Sequence, residues 1–390
     1  MSVTITQAFE HIAALPLSGK TETIPLEASL GRVLAQPVHA TYQLPRFDNS
    51  AMDGYAVRMS DAGKTVTIAD TLFAGHPSTT PVRDGSAIKI MTGAVVPEGT
   101  EAIIPIEHTT LVDPEHVTLP TTFTPHANIR FSGEDVAHEL LLLGEGSLIK
   151  AGDMALLASQ GMTHLTVYTI PSVTIFATGE ELLPHYAKIA SHQIYNSNSP
   201  MLLGQAREAG ANVRFVEASR DCLEMIKTKI ANALDTDLLI TSGGASVGDA
   251  DLTKMALTQM GMEEIFTKIE IKPGKPTSLG KIGRTWVLIL PGNPLACFVN
   301  MALFGKALIR HLRGEALTPT VMPTSTTQAI STKGGIDTVI LGTMGATGFT
   351  PLPKQGPNMV SPLSLATALT IIDRTTPHVA QGDTILVRTV

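Results

Sequence analysis

The stretch Leu238-Leu239-Ile240-Thr241-Ser242-Gly243-Gly244-Ala245-Ser246-Val247-Gly248-Asp249-Ala250-Asp251 runs from an apolar strand through a glycine-rich turn toward a helix. Such a turn collects backbone N–H groups around an anion, and the N-terminus of the next helix favours the same negative charge. It is neither of the two common phosphate loops. A P-loop needs Lys and Ser or Thr after Gly248, where Asp249 and Ala250 stand, and a dinucleotide fingerprint needs glycine at Ala245. The loop ends instead in carboxylates, so a phosphate held there needs a cation such as Mg²⁺ between it and the acids.

Working outward, residues 170–313 alternate strand and helix. Ser172–Thr178 reads as a strand, followed by a helix with Ser199 and Pro200 at N-cap and N1 that stops at Gly210. Asn212–Ala218 is a second strand, and Asp221 and Glu224 have capping-box spacing ahead of a helix whose Leu223, Ile226 and Ile230 share a face. Asp237–Ile240 is the third strand and Asp251–Met260 a helix. Trp286–Leu290 is a buried strand, and Asn293-Pro294 opens a last helix to about Arg313. This alternation predicts a doubly wound, mainly parallel sheet, with ligands outside the carboxyl ends of its strands. Each strand delivers an acid there: Glu180 and Glu181 after Thr178-Gly179, Asp221 after Ser219-Arg220, and Asp249 and Asp251 in the opening loop. Asp221 and Asp251 also fit helix N-caps, and the Glu180-Glu181 pair also fits a solvated loop. Cations come from Lys268-Ile269-Glu270-Ile271-Lys272-Pro273-Gly274-Lys275-Pro276, a turn stiffened by its prolines that can hold an oxyanion or be a plain surface lysine pair.

The flanks read differently. Ile5, Phe9 and Ile12 share one face of a short helix, with Thr4 and Gln7 at capping-box spacing, and a second helical stretch is expected at LEASLGRVLA after Pro25. From about residue 50 to 135, brief alternating runs such as Ala87–Met91 and Glu101–Ile104 predict a small all-β module. The last residues return to short strands with Gly and Pro turns, which suggests a small β-barrel. The expected fold class is multi-domain α/β plus β. Its parts are an N-terminal mixed linker and dimerisation domain (1–43 and 137–169), an inserted all-β domain (44–136), the central doubly wound α/β domain (170–315) and a C-terminal β-barrel (316–390).

Composition narrows the function classes. The 390 residues carry a net charge of −7 without any Lys/Arg stripe, which argues against a nucleic-acid partner. Aromatics are 4%, so the cores are mostly aliphatic. The two cysteines, Cys222 and Cys297, fall on different elements, which argues against a disulfide framework or a Cys-based zinc site. The N-terminus lacks a leader pattern and no apolar stretch approaches the roughly 18 residues of a span, so a cytoplasmic protein with no membrane partner is expected. The 12 histidines are scattered without ligand spacing.

Six ordered motifs, FDNSAMDGYAV (47–57), Gly133-Glu134-Asp135, TGEEL (178–182), TSGGASVGDADLTK (241–254), IKPGKP (271–276) and LPGNP (290–294), resemble the molybdopterin molybdenumtransferase (MoeA) family, whose animal relative is the E domain of gephyrin. The resemblance implies a central molybdopterin-binding α/β domain. It also implies an enzyme that inserts molybdenum from molybdate into adenylylated molybdopterin and releases AMP with Mg²⁺ assistance. Carried over residue by residue, Asp53, Asp135, Glu181, Asp221 and Asp251 match the family's functional acids, with Glu181, Asp221, Asp249 and Asp251 on the metal side. Thr178, Gly243, Gly244, Ser246 and Gly248 match the pterin-phosphate loop. Lys268, Lys272, Lys275, Pro276, Pro291, Pro294 and Ser361 match the cation, oxyanion and pterin side. A homodimer is implied, with Asp53 and Asp135 acting across the interface, and the molybdopterin adenylyltransferase is a candidate partner. Three departures stand out: Gly335–Leu341 lacks an expected arginine, Asn196 replaces an acid in the run 195–198, and Leu252 replaces a common Tyr. The rival readings are a molybdopterin adenylyltransferase, a CinA-like nucleotide hydrolase and a gephyrin-like dimeric scaffold.

Overall fold

The computed structural model describes the chain apart from residues 18, 77–78, 180, 220–221, 244–251 and 317–320. It divides into two compact units. The first comprises Met1–Gln36, Gly146–Met154 and His164–Val390, and the second Pro37–Glu145 and Ala155–Thr163.

The first unit is built on a six-stranded sheet. In chain order its elements are β1 (Ser172–Thr178), α1 (Asn198–Glu208), β2 (Asn212–Ser219), α2 (Leu223–Ala231), β3 (Leu238–Ser242), α3 (Leu252–Gln259), β4 (Glu263–Phe266), β5 (Ser278–Ile282), β6 (Thr285–Leu290), α4 (Pro294–Asn300) and α5 (Lys306–Leu312). The strand order is β2-β1-β3-β6-β5-β4. The first four strands are parallel, and β5 and β4 extend the sheet as an antiparallel edge. Strands buried on both faces read as unbroken apolar runs, and here neighbouring residues separate onto opposite faces. Val173, Ile175, Leu238, Ile240, Leu288 and Leu290 pack with α1, α4, α5 and the N-terminal helix, while Phe176, Leu239, Val287 and Ile289 pack with α2 and α3. The sheet is therefore doubly wound.

The run Pro294–Leu312 continues from α4 to α5 through a π-helical turn at Met301–Gly305. Its 19 residues are long and apolar enough to cross a membrane by composition, contrary to the sequence reading, but 78% of the window is buried inside the unit. Its apolarity is that of a core helix. The N-terminal helix Ile5–Ala13 has its expected capping box, with Gln7 N donating to Thr4 Oγ1 at 3.2 Å and Thr4 N to Gln7 Oε1 at 2.9 Å.

Several local expectations are corrected. Residues 26–35 are not a helix: a single 3₁₀ turn, Leu26–Ala28, gives way to Gly31 at φ +72°, and Val33 and Leu34 bridge in extended backbone to Leu148 and Val167. Both side chains are buried there, so strand pairing outweighs the helix-like spacing. α1 opens before Ser199, whose N–H donates to Asn196 Oδ1 at 3.0 Å. The N-cap of α2 is Cys222, without a side-chain cap bond, and the capping box expected from Asp221 lies outside the described residues. Asn293 is the N-cap of α4, again without a side-chain bond, and Pro294 takes its first turn.

Toward the C-terminus, a sheet runs Ile271–Lys272, Asp337–Gly345, Ala368–Ile372, Thr384–Thr389, Met322–Ser325, with Gly348–Pro351 also paired to Asp337–Gly345. Ile330, Phe349, Ala368, Ile372, Val379, Ile385 and Val387 form its core. Its first strand belongs to the IKPGKP segment, paired parallel to Asp337–Thr338.

The second unit carries another six-stranded sheet, ordered Ala102–Pro105, Gly54–Val57, Ser86–Ile90, Thr65–Leu72, His116–Thr118, Thr110–Asp113. Tyr55, Val57, Ala87, Ala102 and Ile104 enter one buried cluster; Ala56, Ile88, Ile90 and Ile103 enter another on the opposite face. The alternating runs at 86–90 and 102–105 are thus strands, as their pattern predicts.

Candidate functional site

The strand order places the switch point between β1 and β3. The chain leaves β1 toward β2 on one side, then returns across β1 to β3 on the other, and the carboxyl ends of that pair are where open α/β sheets bind ligands. Thr178 ends β1 and Ser242-Gly243 ends β3. Gly243 has φ +94°, and a Cβ built there would lie 2.8 Å from the Thr178 carbonyl oxygen. Its N–H donates to Leu290 O of β6 at 3.3 Å, whereas a Cβ on Gly292 would make only an ordinary 3.5 Å contact with Gly243 Cα, so the steric demand falls on Gly243. Three strand ends crowd this point, and only glycine fits it. Thr178 Oγ1 lies 2.9 Å from Thr253 Oγ1, a buried hydroxyl pair that fixes the start of α3 to the end of β1.

Asn198 reaches two of these segments, the end of β3 and the turn after β6, from α1. Its Nδ2 donates to Ser242 Oγ at 2.8 Å and to Gly292 O at 2.7 Å, and its buried Oδ1 has no hydrogen-bond partner among the described residues. Ser242 Oγ also receives the Cys297 thiol at 3.8 Å. Burial pushes that thiol up to about 12, so Cys297 is an inert packing residue rather than a nucleophile. Sequence reading marked Asn198 only as part of the run 195–198 and Ser242 only within the glycine-loop motif, and gave neither a role of its own. The available signal was the polar run Asn196, Asn198, Ser199 at the head of a helix that packs into the core.

The lysine turn rests on the last residue of α4. Asn300 Nδ2 donates to Pro273 O at 3.1 Å and Ala296 O at 2.7 Å, and a Cβ on Gly274 (φ +105°) would collide with it at 1.7 Å. The turn closes through Ile269 N to Lys275 O and Thr277 Oγ1 to Gly274 O, both 2.9 Å. Lys272 and Lys275 are exposed, Lys268 and Pro276 half-buried. None of the three ammonium groups has an acidic partner among the described residues. Pro291 is buried, and Leu295 N donates to Pro357 O at 3.0 Å, which brings the segment before Ser361 onto the head of α4. Ser361 is the exposed first residue of the short helix Ser361–Leu365.

Glu181 is exposed and folds back on its own turn: a Cβ on Gly179 would lie 2.9 Å from Glu181 Oε2. It is the one residue of the expected metal side within the described chain. Asp221, Gly244, Ser246, Gly248, Asp249 and Asp251 lie outside it. Among the described residues no group of three or more His, Cys, Asp or Glu is placed to hold a metal.

In the second unit, Asp53 precedes the strand Gly54–Val57, where a Cβ on Gly54 would strike Ile104 O at 2.2 Å. Its Oδ1 accepts from both Thr92 N and Thr92 Oγ1 at 2.7 Å. The backbone bond first and the hydroxyl second hold this exposed carboxyl below its ordinary range. Sequence reading did not mark Thr92. Asp135 is exposed with its backbone N–H on Leu44 O at 2.9 Å. The two acidic motifs are neighbours: Ser132 N donates to Asp48 Oδ1 at 2.8 Å, and Asn49-Ser50 pair with Ile129-Arg130.

Comparison with known proteins decides the family. Residues 3–161 match the MoeA N-terminal region (domain I and II), and residues 174–311 match a probable molybdopterin binding domain. The chain is 35% identical over 306 residues to the molybdopterin molybdenumtransferase of Haemophilus influenzae, covering 77% of this chain and 75% of that protein. The chain belongs to the molybdopterin molybdenumtransferase family. Another similar member, from Staphylococcus aureus strain MSSA476, is 33% identical over 320 residues, covering 80% of this chain and 76% of the relative. The fold agrees over the full length. The molybdopterin biosynthesis MoeA protein of Pyrococcus horikoshii OT3 superposes with a TM-score of 0.88 at 24% identity, covering 100% of both chains. A second structure described as a molybdopterin biosynthesis MoeA protein from Pyrococcus horikoshii gives 0.82 at 26%.

Proposed function

We propose that this family member acts in molybdenum cofactor biosynthesis as a molybdenumtransferase, inserting molybdenum from molybdate into adenylylated molybdopterin and releasing AMP. The observation that carries the reading is the pairing of two features on one helix, α4. At its head Gly243 and Thr178 form a crowded turn suited to phosphate, and at its last residue Asn300 carries a lysine turn without acidic partners among the described residues. Family membership over both halves supports the transferase over a lone adenylyltransferase or nucleotide-hydrolase domain, which would not account for the match to residues 3–161.

Each side chain then has a task. The glycine turn accepts the phosphates of the adenylylated pterin. Lys268, Lys272 and Lys275 attract molybdate and hold its charge near the pterin, with Pro276 and Ser361 on the same side. Thr178 and Asn198 keep the turn in shape. Glu181 offers hard oxygen donors at the end of β1, which suits Mg²⁺, and Asp221, Asp249 and Asp251 complete the set in this reading. When bound, Mg²⁺ offsets phosphate charge and eases departure of AMP. Asp53 and Asp135 complete the site across a homodimer interface. We retain the four-domain division and the C-terminal barrel as the domain architecture. A cytoplasmic setting and hand-over of substrate from the adenylyltransferase complete the reading.

The test supplies purified protein with adenylylated molybdopterin, Mg²⁺ and molybdate and follows AMP. Molybdate-dependent release supports the transferase. Formation of adenylylated molybdopterin from molybdopterin and ATP would instead support the adenylyltransferase.

A further inference from the structure

The lysine turn carries an acid, Glu270, between its two short strands Lys268–Ile269 and Ile271–Lys272. Lys268, Glu270 and Lys272 alternate with the buried Ile269 and Ile271, so the three charged residues emerge on the less buried side. Residues two apart along the chain are at most about 7 Å apart, close enough for a flexible Lys and Glu to pair. The Glu270 carboxylate could therefore neutralise either neighbour. It does neither: Oε2 accepts from Arg374 Nη1 at 2.5 Å. Arg374 is itself anchored. Its Nε and Nη2 bind Asp337 Oδ1 and Oδ2 at 3.1 and 3.0 Å, and its backbone N–H binds Asp337 Oδ1 at 3.1 Å. Asp337 is the residue paired with Ile271 across the sheet.

We propose that Arg374 is a positioning residue that withholds the Glu270 carboxylate from Lys268 and Lys272 and so keeps the lysine turn cationic for its anion. The inference rests on the oxyanion role assigned above to that turn. Two partners on one guanidinium make the arrangement selective. Asp337 orients the fork in a bidentate pair, and the remaining nitrogen is aimed at Glu270.

The experiment compares wild type, Arg374→Gln, Glu270→Gln and the double variant by two measurements. The first is the rate at which Lys268 and Lys272 are acylated at fixed pH, read by peptide mass spectrometry without any ligand. Arg374→Gln should slow acylation roughly two- to fivefold, as expected of an exposed new ion pair, and the double variant should restore it. Unchanged rates in Arg374→Gln overturn the inference. So do slowed rates that Glu270→Gln fails to rescue, because a mere brace between strands would behave that way. Should Arg374→Gln not fold, Glu270→Gln decides alone: unchanged acylation agrees, and faster acylation, which would mean that Glu270 already pairs with the lysines in wild type, contradicts. The second measurement is molybdate binding by calorimetry. Wild type that binds no molybdate overturns the functional reading of the turn while leaving the acylation result to judge Arg374.

Discussion

The carbonyl oxygen of Thr178 lies so close to Gly243 that a methyl group on that glycine would sit 2.8 Å from it. The positive φ of Gly243 adds the ordinary left-handed penalty for a residue with a side chain. Gly243→Ala should therefore cost about 1–3 kcal/mol of stability and weaken AMP binding at least tenfold, on the magnitudes of local strain. Gly292→Ala is the control. Its Cβ would meet only ordinary contacts of 3.5 Å or more, and its stability should stay within about 0.5 kcal/mol of wild type. Equal behaviour of the two variants in thermal melts and AMP calorimetry would contradict the crowding argument.

Asn198 predicts a different signature, because it links strand ends instead of filling a gap. Asn198→Ala removes two hydrogen bonds, to Ser242 Oγ and Gly292 O. The buried Ser242 hydroxyl then loses a donor, as does the Gly292 carbonyl beside it, at about 1–3 kcal/mol. The pterin substrate should bind more weakly, with KM rising more than kcat falls. A drop in kcat at unchanged KM would show that Asn198 acts on the chemistry instead.

Asp53 should impose an acid limb on the rate. Its carboxyl is held low by the two bonds from Thr92. Thr92→Val keeps the backbone bond and removes the hydroxyl bond, so the Asp53 value should move up toward the ordinary carboxylate range. The acid limb of kcat/KM should move to higher pH, with the plateau near neutrality retained. An unshifted limb would mean that Asp53 is not the group titrating there.

Asp237 predicts how stability responds to acid. Burial would raise its carboxyl, but the bonds from Ser172 N at 2.8 Å, Ser172 Oγ at 2.7 Å and Lys20 at 3.0 Å outweigh this and leave it below the ordinary value. A group lowered on folding contributes stability that is fully present above its unfolded value, about 3.9, and is lost as pH falls through the folded value. Asp237→Asn should therefore cost about 1–2 kcal/mol at neutral pH and noticeably less near pH 3, on the scale of a charged hydrogen bond. Urea titrations at the two pH values check this.

The parallel sheet was legible because its strands are buried on both faces. Ser172–Thr178, Leu238–Ile240 and Trp286–Leu290 are apolar runs that leave little choice of element, and the glycine turn after Ser242 marks the binding edge. Residues 26–35 misled, because LEASLGRVLA has helical spacing while Val33 and Leu34 are held by strands distant in sequence. Long-range pairing of that kind leaves no local trace. Asn198 and Thr92 went unread for a related reason: each looks like a polar residue of a helix start or a turn until folding sets it against Ser242 or Asp53. Lys272 and Lys275 were legible as cations. What sequence could not show is that Arg374, about a hundred residues away, occupies Glu270.

Molybdate-dependent AMP release tests the central claim most directly. Purified protein is mixed with adenylylated molybdopterin and Mg²⁺, and AMP is followed by chromatography with molybdate absent and then titrated in. Release that is slow without molybdate, rises to saturation with it and falls at least tenfold in Gly243→Ala is the predicted result. AMP release indifferent to molybdate, or no release at any concentration, would contradict the account.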